Sequence, residues 1–256
     1  MKTGVLDARL NAAPIVQLIA DHEVDEAAQL IRARAFAEPL LAGQLLDTGE
    51  GALTHADGVA AILHGIGAAP AMRAAAYLVY AGDYLTKPEE VVTKAFGASH
   101  ASLVMHTRKL VQIQRAAREA KVGVDQRAQQ TERVRKMLLA FSRDLRVVLL
   151  RLASRLQTLR HFAVTKQPCP AALARESMLV FAPLANRLGI WQIKWEIEDL
   201  AFRFLQPNAY RQVADLLDEK RIEREDQVEI FRRRIVDQLQ RHHIAAQVQE
   251  IGRAHV

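Results

Sequence analysis

The sequence predicts an all-α fold. Apolar residues recur at three- and four-residue spacing almost throughout. Glycine and proline are few, at 12 and 8 in 256 residues, and a strand-like alternation shows only weakly, from Ile244 to Gln249.

The elements follow in order. Thr86-Lys-Pro-Glu89 has capping-box spacing with proline inside the first turn, so a helix opens there. It stops at Phe96-Gly97, because glycine tolerates the left-handed conformation after a helix. Ser99 is placed to cap the next helix, which buries Leu103, Val104 and Leu110. Glu119 to Gln130 carries few large apolar side chains and reads as a mobile loop; the helical pattern resumes at Thr131. Leu145, Val148, Leu149, Leu152, Leu156 and Leu159 then form a wide stripe, interrupted on other faces by Arg143, Arg146, Arg151, Arg155 and Arg160. That helix is expected to be mostly buried, its arginine stems lying on the core and their heads pairing with acids.

Lys166 to Pro170, with prolines on both sides of Cys169, is a connection. Two helices follow, one through Phe181 and one from Trp191. In the second, Ile193, Ile197, Leu200, Ala201 and Phe204 share a face. Trp191, Trp195, Phe202 and Leu205 make a second apolar strip, so this helix is expected to pack on two sides with both tryptophans in the core. Pro207-Asn208 starts another helix with Tyr210, Val213 and Leu217 inward; a further segment, Asp226 to about Arg241, repeats the pattern with Val228, Phe231, Ile235 and Leu239.

Half of the residues are hydrophobic and a quarter charged, the profile of a globular protein with a sizeable core. A net charge of +6 and a pI near 9.7 favour anionic partners, yet are modest for a dedicated nucleic-acid binder. A single cysteine, Cys169, makes no internal disulfide, which agrees with a cytoplasmic setting. Met1 to Arg9 has no apolar core of a secretory signal, and Ala74 to Ala81 is too short to span a bilayer, so no membrane partner is expected.

One long stretch is specific. Phe181-Ala-Pro-Leu-Ala-Asn-Arg-Leu-Gly-Ile-Trp-Gln-Ile-Lys-Trp-Glu-Ile-Glu-Asp-Leu-Ala-Phe202 closely resembles a signature of the RelA/SpoT homologues, enzymes that make and break guanosine tetraphosphate in the bacterial stringent response. The likeness continues through Pro207-Asn-Ala-Tyr210, covers Arg135-Lys-Met-Leu138 and Asp144 to Ala153, and reaches back to about Ala42. It implies an all-α HD-type domain that, in active members, removes 3′-pyrophosphate with Mn²⁺ held by His and Asp ligands. A synthetase domain then follows in the family, transferring pyrophosphate from ATP to GTP or GDP.

Carried over position by position, the hydrolase motifs are eroded. The Arg-Lys pair that contacts the guanine nucleotide falls on Leu46 and Asp47. His55 matches the first metal ligand. Counting back from Phe96-Gly97, the His-Asp doublet falls on Val79 and Tyr80, and the following Glu-Asp pair on Asp83 and Tyr84. The last motif reads Ser154-Arg-Leu-Gln-Thr-Leu-Arg160, so its Asp ligand is Ser154 and its His and Asn are Gln157 and Thr158. One His is no Mn²⁺ site, and the expectation is a dead hydrolase domain holding no catalytic, substrate or metal residue. Loss of this site characterises the RelA branch, which synthesises without degrading. Lys194-Trp-Glu-Ile-Glu-Asp and Asp218-Glu-Lys-Arg-Ile-Glu-Arg-Glu225 also look more like that branch.

The chain ends Glu250-Ile-Gly-Arg-Ala-His-Val256, which is what a common sequencing adapter encodes. Residues 250–256 are therefore expected to be adapter read-through, with the gene running on. The expected layout is a degenerate HD-like domain over 1–165, a helical connector over 166–225, and the first helix and strand of a truncated α/β synthetase domain over 226–249. The cut would leave Phe231, Ile235 and Leu239 partly without partners. The parent would convert ATP and GTP to AMP and pppGpp with Mg²⁺, and would meet the ribosome and uncharged tRNA through regions beyond this chain.

Three rivals stand beside that reading. One is a bifunctional or hydrolytic 3′-pyrophosphohydrolase, another a freestanding nucleotide-sensing module, the third a basic RNA-binding domain with steep salt dependence. The plain reading of the remaining features is structural. His55 is then a satisfied core or surface histidine, and His64, His100 and His106 lie on solvated faces. Arg232-Arg-Arg234 is a solvated run, and Cys169 lacks an activating neighbour.

Overall fold

The computed structural model describes residues 26–119, 144–242 and 244. The loop beyond Glu119, the helical pattern from Thr131, the alternation after Ile244 and the terminal heptapeptide lie outside them. The chain divides into two units, Met1–Leu205 and Gln206–Val256.

The first unit is helical, and no strand occurs among its described residues. Its elements are α1 (Glu26–Leu41), α2 (Ala52–Gly65), α3 (Pro70–Ala81), a 3₁₀ turn (Gly82–Tyr84), α4 (Pro88–Phe96), α5 (Ala98–Glu119), α6 (Leu145–Thr165), α7 (Ala171–Glu176), a π-helical turn (Ser177–Phe181), α8 (Ala182–Arg187) and α9 (Trp191–Leu205).

Helix α6 is the spine, with α2, α5 and α9 packed against it. Asp144 caps its start by accepting from the Arg146 N–H at 3.0 Å, and Lys166, at φ 56°, turns the chain left-handed at its end. Leu149, Leu152, Leu156 and Leu159 are almost wholly buried; each contributes about 1.5–3 kcal/mol over its exposed state. Because α6 is enclosed on nearly every side, Arg151 and Arg155 are buried too, heads as well as stems. Arg155 meets Glu176 at 2.7 Å, donates to Leu173 O and Ser177 Oγ, and lies 4.1 Å over the Phe181 ring. Arg146 pairs with Asp144 and Arg160 with Glu196, so the expected pairing of these arginines with acids is present. Helices α1 and α3 pack together through small side chains; Ala33, Ala37, Ala74, Ala75 and Ala76 are all fully buried.

Several local expectations change. Helix α4 begins at Pro88 with no side-chain cap; in place of a capping box from Thr86, the Lys87 ammonium reaches Glu90 at 3.0 Å. It does end at Phe96, with Gly97 at φ 88°. Helix α5 begins at Ala98, so Ser99 is inside the first turn and accepts from Arg146 rather than capping. In α9, Ile193, Ile197, Leu200 and Ala201 are buried as the periodicity requires. Trp191 and Trp195 are instead 51% and 61% exposed. The helix buries one face only, and the two rings meet each other edge-on at 6.5 Å with the Lys194 ammonium over Trp191.

In the second unit a single helix, α10, runs from Pro207 to Arg241. No break falls near 225/226, because Asp218 to Gln227 is a run of helix formers without Gly or Pro. Val213 and Leu217, expected to face inward, are 47% and 63% exposed, and Phe231 is 65% exposed. Among the unit's described residues no second helix is present to cover them. No helix among the described residues is long and apolar enough to cross a membrane.

Candidate functional site

A cleft of about 820 Å³ opens between α2, α3, α5 and α6, walled on one side by the turn before α2. That wall is a hairpin-like loop with an isolated bridge between Leu45 and Gly51. Leu46 N–H donates to Glu50 O at 2.8 Å, Gly49 N–H to Leu46 O at 2.9 Å, and Ala52 N–H to Gln44 O at 2.8 Å. Gly49, at φ 78°, makes the tight turn possible.

The residues singled out by position converge here. Leu46 and Asp47 line the wall; His55, Val79, Tyr80, Asp83 and Tyr84 come from α2, α3 and the 3₁₀ turn; Ser154 and Thr158 come from α6. Gln157, the exception, lies beside the cleft and binds Glu50. The fold thus brings together, around one cleft, segments that lie far apart in the sequence.

The centre is His55, 1% exposed on α2. Its Nδ1 lies 2.6 Å from Glu50 Oε2, the imidazole N–H facing the carboxylate. Its Nε2 lies 2.8 Å from the Tyr80 hydroxyl and 3.2 Å from Ser154 Oγ, and these two hydroxyls are 2.9 Å apart. The three atoms close a triangle with two hydroxyl protons: the Tyr80 O–H donates to Ser154 Oγ, and the Ser154 O–H faces the imidazole lone pair, which the Tyr80 oxygen also approaches. Arg151 donates to Ser154 Oγ at 3.2 Å and, through Nε and Nη2, to Gln114 Oε1 at 3.1 and 2.8 Å. Gln157 Nε2 donates to Glu50 Oε1 at 2.6 Å. His55 and Tyr80 also stack edge-to-face at 4.9 Å.

Electrostatics keep this centre neutral where the hydroxyls sit. Burial pushes the Tyr80 phenol above its usual value; the opposing pulls of Arg151 and the Ser154 hydrogen bond are smaller. Tyr80 is therefore a phenol and offers no phenolate. Asp83 is held outside the triangle by Arg108, whose Nε and Nη2 donate to one carboxylate oxygen at 3.0 and 2.8 Å. Thr158 spends its hydroxyl on Ser154 O at 3.0 Å, a helix backbone acceptor.

A divalent cation at this point would need the Nε2 lone pair and carboxylate or imidazole neighbours. The donor set here is one imidazole nitrogen and two neutral hydroxyls that already satisfy one another. These residues do not fit Mn²⁺. Among the described residues, no three His, Cys, Asp or Glu side chains are grouped so as to share a metal ion.

His64 and His106 are exposed, while His100 is half-buried with Nδ1 on Phe96 O at 3.0 Å. Burial pushes the Cys169 thiol up to about 11, so it stays protonated. Sequence reasoning missed Glu50, Arg108 and Gln114. Glu50 precedes His55 by five residues, a spacing with no helical meaning, and the other two read as ordinary polar positions on α5.

The HD domain family matches residues 33–191, more than half of the chain. A Synechocystis protein named "Probable guanosine-3′,5′-bis(diphosphate) 3′-pyrophosphohydrolase" is 37% identical over 200 residues, 78% of this chain and 25% of that protein. A Photobacterium angustum GTP pyrophosphokinase is 38% identical over 159 residues, 61% of this chain and 21% of the relative. A Haemophilus influenzae guanosine-3′,5′-bis(diphosphate) 3′-pyrophosphohydrolase is 34% identical over 207 residues, 80% and 29%. The chain thus spans between a fifth and a third of the length of these relatives. With its helical fold and converging motif positions, the chain belongs to the HD-domain proteins of the RelA/SpoT family and corresponds to an HD-containing part of those longer enzymes.

Proposed function

We propose that this chain is the N-terminal part of a RelA-type GTP pyrophosphokinase whose HD domain no longer hydrolyses guanosine tetraphosphate and serves a structural and regulatory role. The parent reaction would be ATP plus GTP giving AMP plus pppGpp, with Mg²⁺ in a synthetase domain beyond this chain. Stalled ribosomes and uncharged tRNA would be met through regions further on, in the cytoplasm. One observation carries the silent-domain reading: the His55 Nε2 lone pair is engaged by Tyr80 and Ser154, the two positions where active members hold carboxylate ligands.

The direct test is to incubate the purified chain with guanosine tetraphosphate and Mn²⁺, and to follow pyrophosphate release alongside Mn²⁺ binding by calorimetry. We expect neither. Mn²⁺-dependent release would overturn the proposal in favour of the hydrolytic alternative. For the synthetase parent, the test is the native locus read across codon 249 from DNA prepared without adapters. A frame continuing into a Gly-Arg and then a basic Lys-His-Tyr motif supports it; a stop after Val256 refutes it. That outcome would favour a freestanding nucleotide-sensing module, since the cleft persists with Arg108, Arg151 and Arg155 in its lining. A guanine-nucleotide titration reads that alternative directly.

A further inference from the structure

In this protein the cleft wall is tied to the helical core by a side chain that plays no part in the proposed chemistry. Glu50 ends the hairpin-like loop and is 2% exposed. Both of its oxygens are spoken for at 2.6 Å, Oε2 by His55 of α2 and Oε1 by Gln157 of α6. A buried carboxylate held at two oxygens by two different helices is a clamp; charge-assisted bonds of this length are stronger than neutral ones. The clamp has a built seat. A Cβ on Gly58 would collide with the Gln157 carboxamide, so the glycine leaves the space through which Gln157 crosses α2 to reach Glu50. His55 is fixed in turn by the Tyr80–Ser154 pair, and Ser154 by Arg151. The loop, α2, α3 and α6 are thereby joined through protein groups alone, at the place where the donor set does not fit a metal.

We infer that Glu50 is the latch of the cleft wall: together with Gln157 and His55 it holds residues 45–51 against the core without any metal ion. The latch shapes this wall and takes no part in the reaction, so it stands or falls separately from the proposed function.

Amide hydrogen exchange on the full chain tests it, because Leu46, Gly49 and Ala52 each donate a backbone bond within the loop. The variant Gln157→Met keeps the side-chain volume over Gly58 and deletes the donor. It should raise exchange at those three amides about tenfold, the consequence of losing one charge-assisted bond, and leave the α6 amides of Leu152 and Leu156 unchanged. Gly58→Ala, which pushes the Gln157 carboxamide aside without altering its chemistry, should reproduce the same local pattern. Unchanged loop exchange in both variants overturns the latch. So does an equal rise at the loop and at α6, because Gln157 would then be supporting the core as a whole. Neither readout involves Mn²⁺ or nucleotide, so a failed latch leaves the silent-domain reading untouched, and pyrophosphate release would leave the latch untouched.

Discussion

Tyr80→Phe removes one oxygen and keeps the ring, so the edge-to-face contact with His55 at 4.9 Å survives and the hydrogen bonding alone is probed. The lost hydroxyl lies 2.8 Å from His55 Nε2 and 2.9 Å from Ser154 Oγ. Ser154 keeps its bond from Arg151, whereas His55 Nε2 keeps the longer contact to Ser154 at 3.2 Å. The cost is that of leaving a buried acceptor underserved, about 1–3 kcal/mol in general. The surviving contact places it in the lower half, about 1–2 kcal/mol. For a chain of this size that lowers Tm by about 2–8 °C. Thermal unfolding of Tyr80→Phe, Ser154→Ala and the double variant completes the cycle; the two changes should be non-additive by about 0.5 kcal/mol or more. A Tyr80→Phe variant as stable as the parent, or strict additivity, would refute the view that the triangle is a cooperating unit.

Three further outcomes are expected. Glu176→Ala takes the carboxylate from the buried Arg155 guanidinium and leaves it Leu173 O, Ser177 Oγ and the Phe181 face; stability should fall by about 3 kcal/mol, and urea unfolding showing a loss below about 1 kcal/mol would count against a buried ion pair. Asp144 is subject to burial, which would raise its carboxyl, but the bonds from Arg146 outweigh it and hold the value below the usual 3.8. The folded state therefore favours the charged form, so this contribution is complete above pH 3.8 and is lost as the pH falls through the lower folded value; Asp144→Asn should flatten that part of the acid limb in a stability-versus-pH series. Trp195→Ala should change stability by less than about 0.5 kcal/mol and remove fluorescence that acrylamide quenches efficiently, since the ring is 61% exposed; a large loss of stability would place the ring in a packed interface.

Much of the fold is written in periodicity. The leucine stripe of α6, the stop at Gly97 and the inward face of α9 are local patterns with one physical reading, and each is found. The failures share a cause. Whether Trp191 and Trp195 are buried depends on what lies opposite α9, and spacing on one helix carries no information about its neighbours. The stripe takes Arg151 and Arg155 off the leucine face with their stems on the core, but one helix's pattern does not say that neighbours bury the guanidinium heads as well. A division at Asp226 requires a charged, apolar-poor run to end a helix. Charged residues with long straight side chains are good helix formers, and without Gly or Pro nothing stops the helix.

The site is legible as a set of positions and illegible as a structure. Matching His55, Tyr80 and Ser154 to metal-ligand positions says what chemistry is missing, not what replaces it. Physical chemistry limits the replacement. A buried cluster of carboxylates is tolerable only while a cation balances it, since an unpaired buried charge is costly. Once one ligand position is lost and the metal is held weakly, the other carboxylates become liabilities. Neutral hydroxyls in their place lift that penalty and supply donors for the imidazole left behind. The buried acid of this site, Glu50, has protein partners at both oxygens, and Asp83 stands at the rim against Arg108. On this argument, restoring one carboxylate alone by Ser154→Asp should destabilise the chain: it would set a new buried charge beside Tyr80 and near Glu50, in a space shaped for a hydroxyl. Adding Mn²⁺ should not rescue the loss, because His55 and one aspartate fall short of a coordination shell. Rescue by Mn²⁺ in a thermal shift assay would mean that the site had kept more of its ligand geometry than its hydrogen bonds imply.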